Sequence, residues 1–125
     1  MTQEEARELT ADTDGLATYE YIANHIDDCE AEMGWLADNI IRVDLSGQFC
    51  ASAARYLNAV GADKFAAQIK ELVSAAIGKD REHRYLADLA ASIYGADYQE
   101  RAQELSATDD NFRRLYKRLF PSSAL

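Results

Sequence analysis

Residues 19–43, YEYIANHIDDCEAEMGWLADNIIRV, carry the strongest secondary-structure pattern in the chain. The apolar residues of this segment recur at alternating steps of three and four positions, which places them on one stripe of an α-helix and would scatter them over both faces of a strand. We therefore predict one long amphipathic helix over about residues 14–43, capped by Thr13 or Asp14. A break at Gly34, which costs a helix interior about 1 kcal/mol, is the alternative. The apolar stripe comprises Tyr19, Ile22, Ile26, Cys29, Met33, Leu36, Ile40 and Val43.

The rest of the chain reads as shorter helices separated by glycine and capping residues. We predict helices over about residues 46–60, 63–77, 80–94, 97–105 and 108–120. Residues 1–12 are predicted as a mobile N-terminal segment, in which Thr2 and Glu5 suit the capping box of a short helix, and residues 121–125 as a C-terminal tail. The predicted fold is a single all-α domain over residues 1–125, a bundle of five to seven helices around the long one.

Length and composition exclude several classes of protein. A chain of 125 residues with 48% hydrophobic residues fits one globular domain. One proline and six glycines disfavour a turn-rich β-sandwich, and no apolar run approaches the roughly 18 residues of a membrane span. The segment 1–9 is polar and acidic, unlike a signal peptide, so we expect a cytoplasmic location. Cys29 and Cys50 match no metal or redox spacing and are expected in the core; a disulfide needs the two helices that carry them to be adjacent.

The net charge of -9 is concentrated in the first third of the chain. Residues 1–44 hold 12 acidic and 2 basic side chains, whereas residues 45–125 hold 10 acidic and 11 basic ones. A sequence pI near 4.6 argues against direct binding of nucleic acid, which needs excess Lys and Arg. On a continuous helix, Glu20, Asp27 and Asp38 lie together opposite the apolar stripe, whereas Asp28 and Glu32 lie on one flank of it and Glu30 lies on the other. The candidate partner-binding residues are therefore Glu20, Asp27, Asp28, Glu30, Glu32 and Asp38. The alternative is that these residues form only the solvated face of an amphipathic helix.

Trp35 is the only tryptophan of the chain. On a continuous helix it points away from the apolar stripe, between Asp28 and Asp38, where it suits an interface anchor. If the helix bends at Gly34, Trp35 packs inward instead, and the sequence leaves both alternatives open.

The last predicted helix is basic, with Arg113, Arg114, Lys117 and Arg118 on one broad face. These cations complement the dipole at the C-terminal end of a helix. Alternatively, they meet the acidic helix of a second copy and set the register of a homodimer.

No motif for catalysis or cofactor binding stands out. His25, Asp28 and Glu32 share a helix flank but lack the inward-facing Glu-x-x-His pairs of carboxylate metal bundles. The chain contains no nucleophile elbow, no phosphate-binding loop and no dinucleotide fingerprint. We therefore expect no enzyme activity, no cofactor and no metal.

Three blocks resemble short accessory proteins of bacterial conjugative or other mobile elements. They are SGQFCASAARYLNAVGADKF (46–65), GKDREHRYLADLAASIYGADY (78–98) and ATDDNFRRLYKRLFP (107–121). This resemblance implies an all-helical accessory protein and brings no established activity with it.

A second resemblance is to the DNA-mimic-protein-like helical domain. It rests on small groups that recur in the same order: Gly34-Trp35, Asn39, Ser46-Gly47, Val60-Gly61-Ala62 and Thr108-Asp109-Asp110. The resemblance implies an acidic dimer that occupies the DNA site of a regulator. The sequence departs from that domain in keeping its apolar stripe continuous through Gly34.

These observations favour a non-enzymatic acidic module that binds a protein partner, in its specific version a DNA mimic directed at a nucleic-acid-binding protein. The alternative is a structural or assembly homodimer without a ligand. A metal-binding or enzymatic bundle is the third class.

Overall fold

The computed structural model describes residues 1–123, and within them the chain is helical without any strand. The all-α prediction is confirmed, although eight α-helices are present where five to seven were expected. They are α1 (Gln3–Thr10), α2 (Leu16–Asn24), α3 (Met33–Val43), α4 (Gln48–Gly61), α5 (Ala66–Lys79), α6 (Leu86–Tyr94), α7 (Ala102–Thr108) and α8 (Asp110–Leu119), with a single 3-10 turn, Glu30–Glu32, before α3.

The predicted long helix over residues 14–43 is wrong. The helix that starts at Leu16 ends at Asn24, and a turn and the 3-10 turn separate it from α3. Gly34 is not the break, because it lies inside α3. The apolar stripe nevertheless stays in the core, since Ile22, Cys29 and Met33 on the two sides of the turn are each at most 1% exposed. The residues of the stripe are therefore buried without one continuous helix.

The helices form two rows. In the first row α2 contacts α4 and α4 contacts α6; in the second row α3 contacts α5 and α5 contacts α8. The rows are joined by the contacts of α2 with α3, α4 with α5 and α6 with α8. Each helix of a row thus buries its apolar face against the helices beside it, and α7 packs on α8.

A recurring turn leads into each helix of the first row. Asp12, Asp44 and Asp80 open these turns, and each carboxylate accepts backbone N–H groups at the start of the following helix. The third residue after each aspartate has a positive φ: Gly15 at +102°, Gly47 at +87° and His83 at +55°. We call these segments the Asp12 turn (12–15), the Asp44 turn (44–47) and the Asp80 turn (80–83). The carboxylates satisfy backbone donors that the helix itself leaves unpaired.

The three turns stack on one another. A Cβ on Gly15 would lie 3.5 Å from the Asp44 Cβ, and a Cβ on Gly47 would lie 3.3 Å from the Asp80 Cβ. Glycine suits these two positions for two reasons: it adopts the left-handed backbone without strain, and it has no Cβ to obstruct the close approach of the next turn. No further Asp turn follows the third one within the described residues, and there an exposed histidine, His83, holds the corresponding position.

The two chain ends differ from the prediction in part. The segment 1–12 contains α1, whose capping box of Thr2 and Glu5 is confirmed, and Leu9 is buried against the core. The chain leaves α8 before Pro121, and residues 124–125 of the predicted tail lie outside the described part.

One core unites all the helices. Buried side chains from every helix, α1 to α8, belong to a single cluster, which includes both Cys29 and Cys50 as free thiols. The described chain is therefore one domain, and both cysteines are in the core as predicted. Within residues 1–123, no helix combines the length and apolarity that crossing a bilayer takes.

Candidate functional site

The candidate acidic residues lie on four consecutive segments instead of one helix. Glu20 is on α2, Asp27 and Asp28 are in the following turn, Glu30 and Glu32 form the ends of the 3-10 turn, and Asp38 is on α3. The expectation that Glu20, Asp27 and Asp38 line up along one helix is wrong because the helix ends at Asn24. All of them except the partly buried Glu32 are exposed.

Three of these carboxylates have partners within the chain. Glu32 accepts a hydrogen bond from the Met1 ammonium at 2.9 Å, which lowers the pKa of Glu32. Glu30 lies 3.3 Å from the Lys64 ammonium, and Asp28 lies 3.8 Å from Nδ1 of His25, which stacks on Tyr21. Glu20, Asp27 and Asp38 form no ion pair with the described residues, so their charges face solvent.

Trp35 is partly exposed, and this settles the question that the sequence left open. Its side chain belongs to α3, and the residue is 39% exposed. It lines a shallow depression of about 270 Å³ together with Thr10, Asp38 and Arg42. An exposed tryptophan next to an unpaired carboxylate is the kind of residue that anchors protein interfaces.

A groove runs across the second row of helices, from α3 over α5 to α8. It holds about 860 Å³ and shares Asp38 with the depression under Trp35. We call it the α3–α5–α8 groove. Its walls and floor are formed by Asp38 and Ile41 of α3, Ala67, Lys70, Glu71, Ser74 and Ala75 of α5, and Asp110, Asn111 and Arg114 of α8.

Small side chains of α5, the central helix, line part of the floor of the groove. Ala67, Ser74 and Ala75 are spaced seven and one positions apart on α5, so they share one helix face with the exposed Lys70 and Glu71. The helix itself was predicted from the apolar residues of its buried face, but the groove on its opposite face was not predicted. The signal that could have revealed it is the spacing of Ala67, Ser74, Ala75 and Gly78 on the opposite face.

The basic residues of α8 are divided between packing and solvent. Arg114 donates to Ser74 Oγ at 3.0 Å, and Arg118 donates to the Ile77 carbonyl at 2.7 Å, so both tie α8 to α5. Arg113 pairs with Asp110 within α8, and Lys117 donates to the Ser123 carbonyl at 2.7 Å. Two of the four predicted cations thus have a structural role between helices.

The buried titratable groups are poorly suited to nucleophilic chemistry. Burial raises the pKa of the Cys50 thiol far above its usual range, with Asp44 adding to the effect, and burial also raises the pKa of Cys29. Because the thiolate is the reactive form, both thiols are weak nucleophiles at neutral pH. Among residues 1–123, no three His, Cys, Asp or Glu side chains are grouped so as to hold a metal ion.

Burial of the Tyr94 hydroxyl raises its pKa, and this group donates to Asp109 at 3.2 Å. Asp109 in turn accepts from the backbone N–H of Phe112 and caps α8, where Thr108 was the expected cap. The pair Tyr94–Asp109 therefore stabilises a helix start.

Comparison of the chain with protein-family models, curated protein sequences and solved structures found no match.

Proposed function

We propose that this protein is a non-enzymatic interaction module that binds a basic protein partner through its acidic N-terminal third. The observation that carries the proposal is Trp35, which is 39% exposed beside the unpaired carboxylate of Asp38 at the edge of the α3–α5–α8 groove. Tryptophan is enriched among the residues that dominate binding energy, and a carboxylate next to it favours a cationic partner. The net charge of -9 supports fast association with such a partner.

A pair of exposed apolar residues allows a matched test. Wild-type protein, Trp35→Ala and Val60→Ala are immobilised; the proteins that each retains are identified, and their affinities are measured. We expect Trp35→Ala to lower the affinity for the retained partner at least about tenfold, because truncation of a central anchor residue removes a large share of the binding energy. Val60→Ala removes an exposed apolar residue, 49% exposed, at a different place and is expected to retain the partner. Equal retention by all three proteins contradicts the proposal.

The specific version of the proposal is mimicry of DNA. Its support is the high negative charge of residues 1–44, which hold 12 acidic and 2 basic side chains. Because these carboxylates lie on separate segments, they do not form a row at one spacing per helical turn. Competition with duplex DNA tests this version: a mimic is displaced from its partner by DNA, whereas binding of the partner together with DNA contradicts mimicry.

Self-assembly is the second candidate function, and Leu45 favours it. This side chain lines a depression of about 390 Å³, where Arg84 pairs with Glu82. Two further cations, Lys79 and Arg81, line the same depression and form no ion pair with described residues. Lys79 and Arg81 complement the acidic third of another copy. Sedimentation at several salt concentrations tests this function: an assembly that dissociates with salt and with Leu45→Ala supports it, whereas a monomer at all concentrations contradicts it.

A further inference from the structure

A depression on the first row of helices differs in charge from those described above. It holds about 510 Å³, and we call it the Arg55 depression. Among the described residues, Arg55 is the one charged side chain of its lining, whereas the depressions at Trp35 and Leu45 each combine an arginine with a carboxylate. The other polar and aromatic residues that line it are Tyr19 of α2, Ser52, Tyr56 and Asn58 of α4, and Ser92 of α6.

The guanidinium of Arg55 is held in place from one side. Its Nε donates to Ser92 Oγ at 2.9 Å, and the Ser92 carbonyl accepts from Asn58 Nδ2 at 3.1 Å, so α4 and α6 are joined here. The terminal nitrogens Nη1 and Nη2 form no hydrogen bond and no ion pair with described residues. Because a guanidinium is a rigid fork, this remaining edge can bind a carboxylate through two parallel N–H···O bonds.

Aromatic rings and hydroxyls stand beside this cation. The rings of Tyr19 and Tyr56 meet edge to face, with centroids 6.4 Å apart and planes at 85°. Neither tyrosine hydroxyl nor the hydroxyl of Ser52 forms a hydrogen bond with described residues. Tyrosine rings favour a further aromatic ring in an offset or edge-to-face arrangement, and hydroxyls donate to acidic oxygens. The lining therefore suits a ligand that carries an acidic group next to a ring.

The balance of charge selects the acidic group. One arginine balances the single charge of a carboxylate. A phosphate monoester carries about 1.5 to 2 negative charges at neutral pH, so part of its charge stays unbalanced in a chain of net charge -9. Salt at about 0.1 M screens the distant carboxylates of the chain beyond roughly 10 Å, which leaves Arg55 as the nearest charge.

We propose that the Arg55 depression binds a small aromatic carboxylate. The carboxylate lies on the terminal nitrogens of Arg55, and the ring lies against Tyr19 and Tyr56. The volume of about 510 Å³ is within the range of small-molecule sites. The depression shares no lining residue with the α3–α5–α8 groove or the depression at Trp35, so this inference does not depend on the proposed function.

The probe is benzoate, titrated into the full chain and followed by the NMR signals of the Arg55 Nε–H group and of the backbone amides of α4. Three further compounds test the parts of the ligand: benzamide has the same shape without the charge, acetate lacks the ring, and phenyl phosphate carries the larger charge. We expect saturable shifts with benzoate and binding at least about fivefold weaker for each of the other three.

Variants separate the guanidinium fork from charge alone. Arg55→Ala is expected to weaken benzoate binding at least about tenfold, and Arg55→Lys at least about fivefold, because an ammonium keeps the charge but lacks the fork. Ser92→Ala is expected to weaken it about threefold, because the guanidinium loses the acceptor that orients it. The matched control is Arg7→Ala, which removes an exposed arginine without an ion pair to described residues and should change the affinity less than about twofold.

Several outcomes overturn the inference. They are equal weakening by Arg55→Ala and Arg7→Ala, unchanged binding by Arg55→Lys, equal affinity for benzoate and benzamide, and tighter binding of phenyl phosphate than of benzoate. The absence of saturable shifts up to about 20 mM benzoate also overturns it. Circular dichroism of each variant establishes that it is folded. Because these substitutions lie at exposed positions, we expect all of them to leave the fold unchanged.

Discussion

At the scale of single residues, the buried carboxylate of Asp44 accepts several hydrogen bonds from the turn and helix that follow it. It is 1% exposed and accepts hydrogen bonds from four backbone N–H groups and the Ser46 hydroxyl. Asp80, 2% exposed, accepts two backbone N–H groups of the described residues through its side chain. We expect Asp44→Ala to lower the free energy of unfolding by about 3 kcal/mol or more, because it leaves several buried donors unpaired. Asp80→Ala is expected to cost about 1–2 kcal/mol. Urea denaturation measures both, and an equal or larger loss for Asp80→Ala contradicts the argument.

His83 has a left-handed backbone that glycine would adopt without strain. Its φ is +55°, and its side chain is exposed at the last of the three stacked turns. A left-handed non-glycine residue costs roughly 1 kcal/mol, so we expect His83→Gly to stabilise the protein by about 0.5 kcal/mol after the entropy of glycine is counted.

Gly47→Ala is the opposite case. Its φ is +87° and the new Cβ would lie 3.2 Å from the Ala76 carbonyl oxygen, so we expect a loss above about 1 kcal/mol. Thermal unfolding of the two variants tests this order.

At the scale of helices, α1 is attached to the bundle by a buried polar cluster. Asn39 donates to the Leu9 carbonyl at 2.8 Å and to Thr18 Oγ1 at 2.9 Å, while Arg42 donates to Asn39 at 2.7 Å and to the Thr10 carbonyl at 2.9 Å. The same Asn-x-x-Arg spacing recurs on α8, where Asn111 donates to the Lys70 carbonyl and Arg114 to Ser74. Each pair joins a helix of the second row to its neighbour.

We expect Asn39→Ala to cost about 2 kcal/mol and to release α1 locally, because the carbonyl of Leu9 and the hydroxyl of Thr18 lose a buried partner. Hydrogen exchange should then accelerate in α1, with little change in α4 and α5. Asn58→Ala is the matched control, since Asn58 also joins two helices, through the Ser92 carbonyl at 3.1 Å, but at a more exposed position. Equal exchange in α1 of the wild type and Asn39→Ala contradicts this role.

At the scale of the whole molecule, the charge is carried mainly by exposed groups. The ion pairs Lys64–Glu30 and Arg101–Glu104 are exposed, and pairs of this kind contribute little to stability. Repulsion among the 12 acidic residues of the first 44 is therefore expected to outweigh them at low salt. The urea midpoint should rise between about 50 and 500 mM NaCl, and Asp27→Asn/Asp28→Asn should flatten that rise. A midpoint that falls with salt contradicts this balance.

Local chemistry was sufficient to predict several parts of this molecule. Apolar spacing predicted the all-helical class and the burial of Ile22, Met33 and Leu36, and capping chemistry predicted the Thr2–Glu5 box and the end of α6 at Gly95. These features depend on residues close together in the chain, so the pattern alone carries them. The helix starts predicted at residues 80 and 97 are wrong, because α6 begins at Leu86 and α7 at Ala102. The acidic candidates were also identified from local composition, and most of them are exposed.

The break after Asn24, the stacked turns and the α3–α5–α8 groove depend on contacts between distant segments. Apolar residues spaced three and four positions apart fit one continuous helix, and they fit equally well two helices whose apolar sides meet. Only the packing of α3 against α2 decides between these alternatives. Gly15 resembles any turn glycine until Asp44 is seen beside it. In the same way, Ala67 and Ala75 look like ordinary helix formers, and they form a groove only because α3 and α8 rise on either side of them. The physical reason is that these features are set by how helices pack, and packing joins residues that the local pattern treats as unrelated.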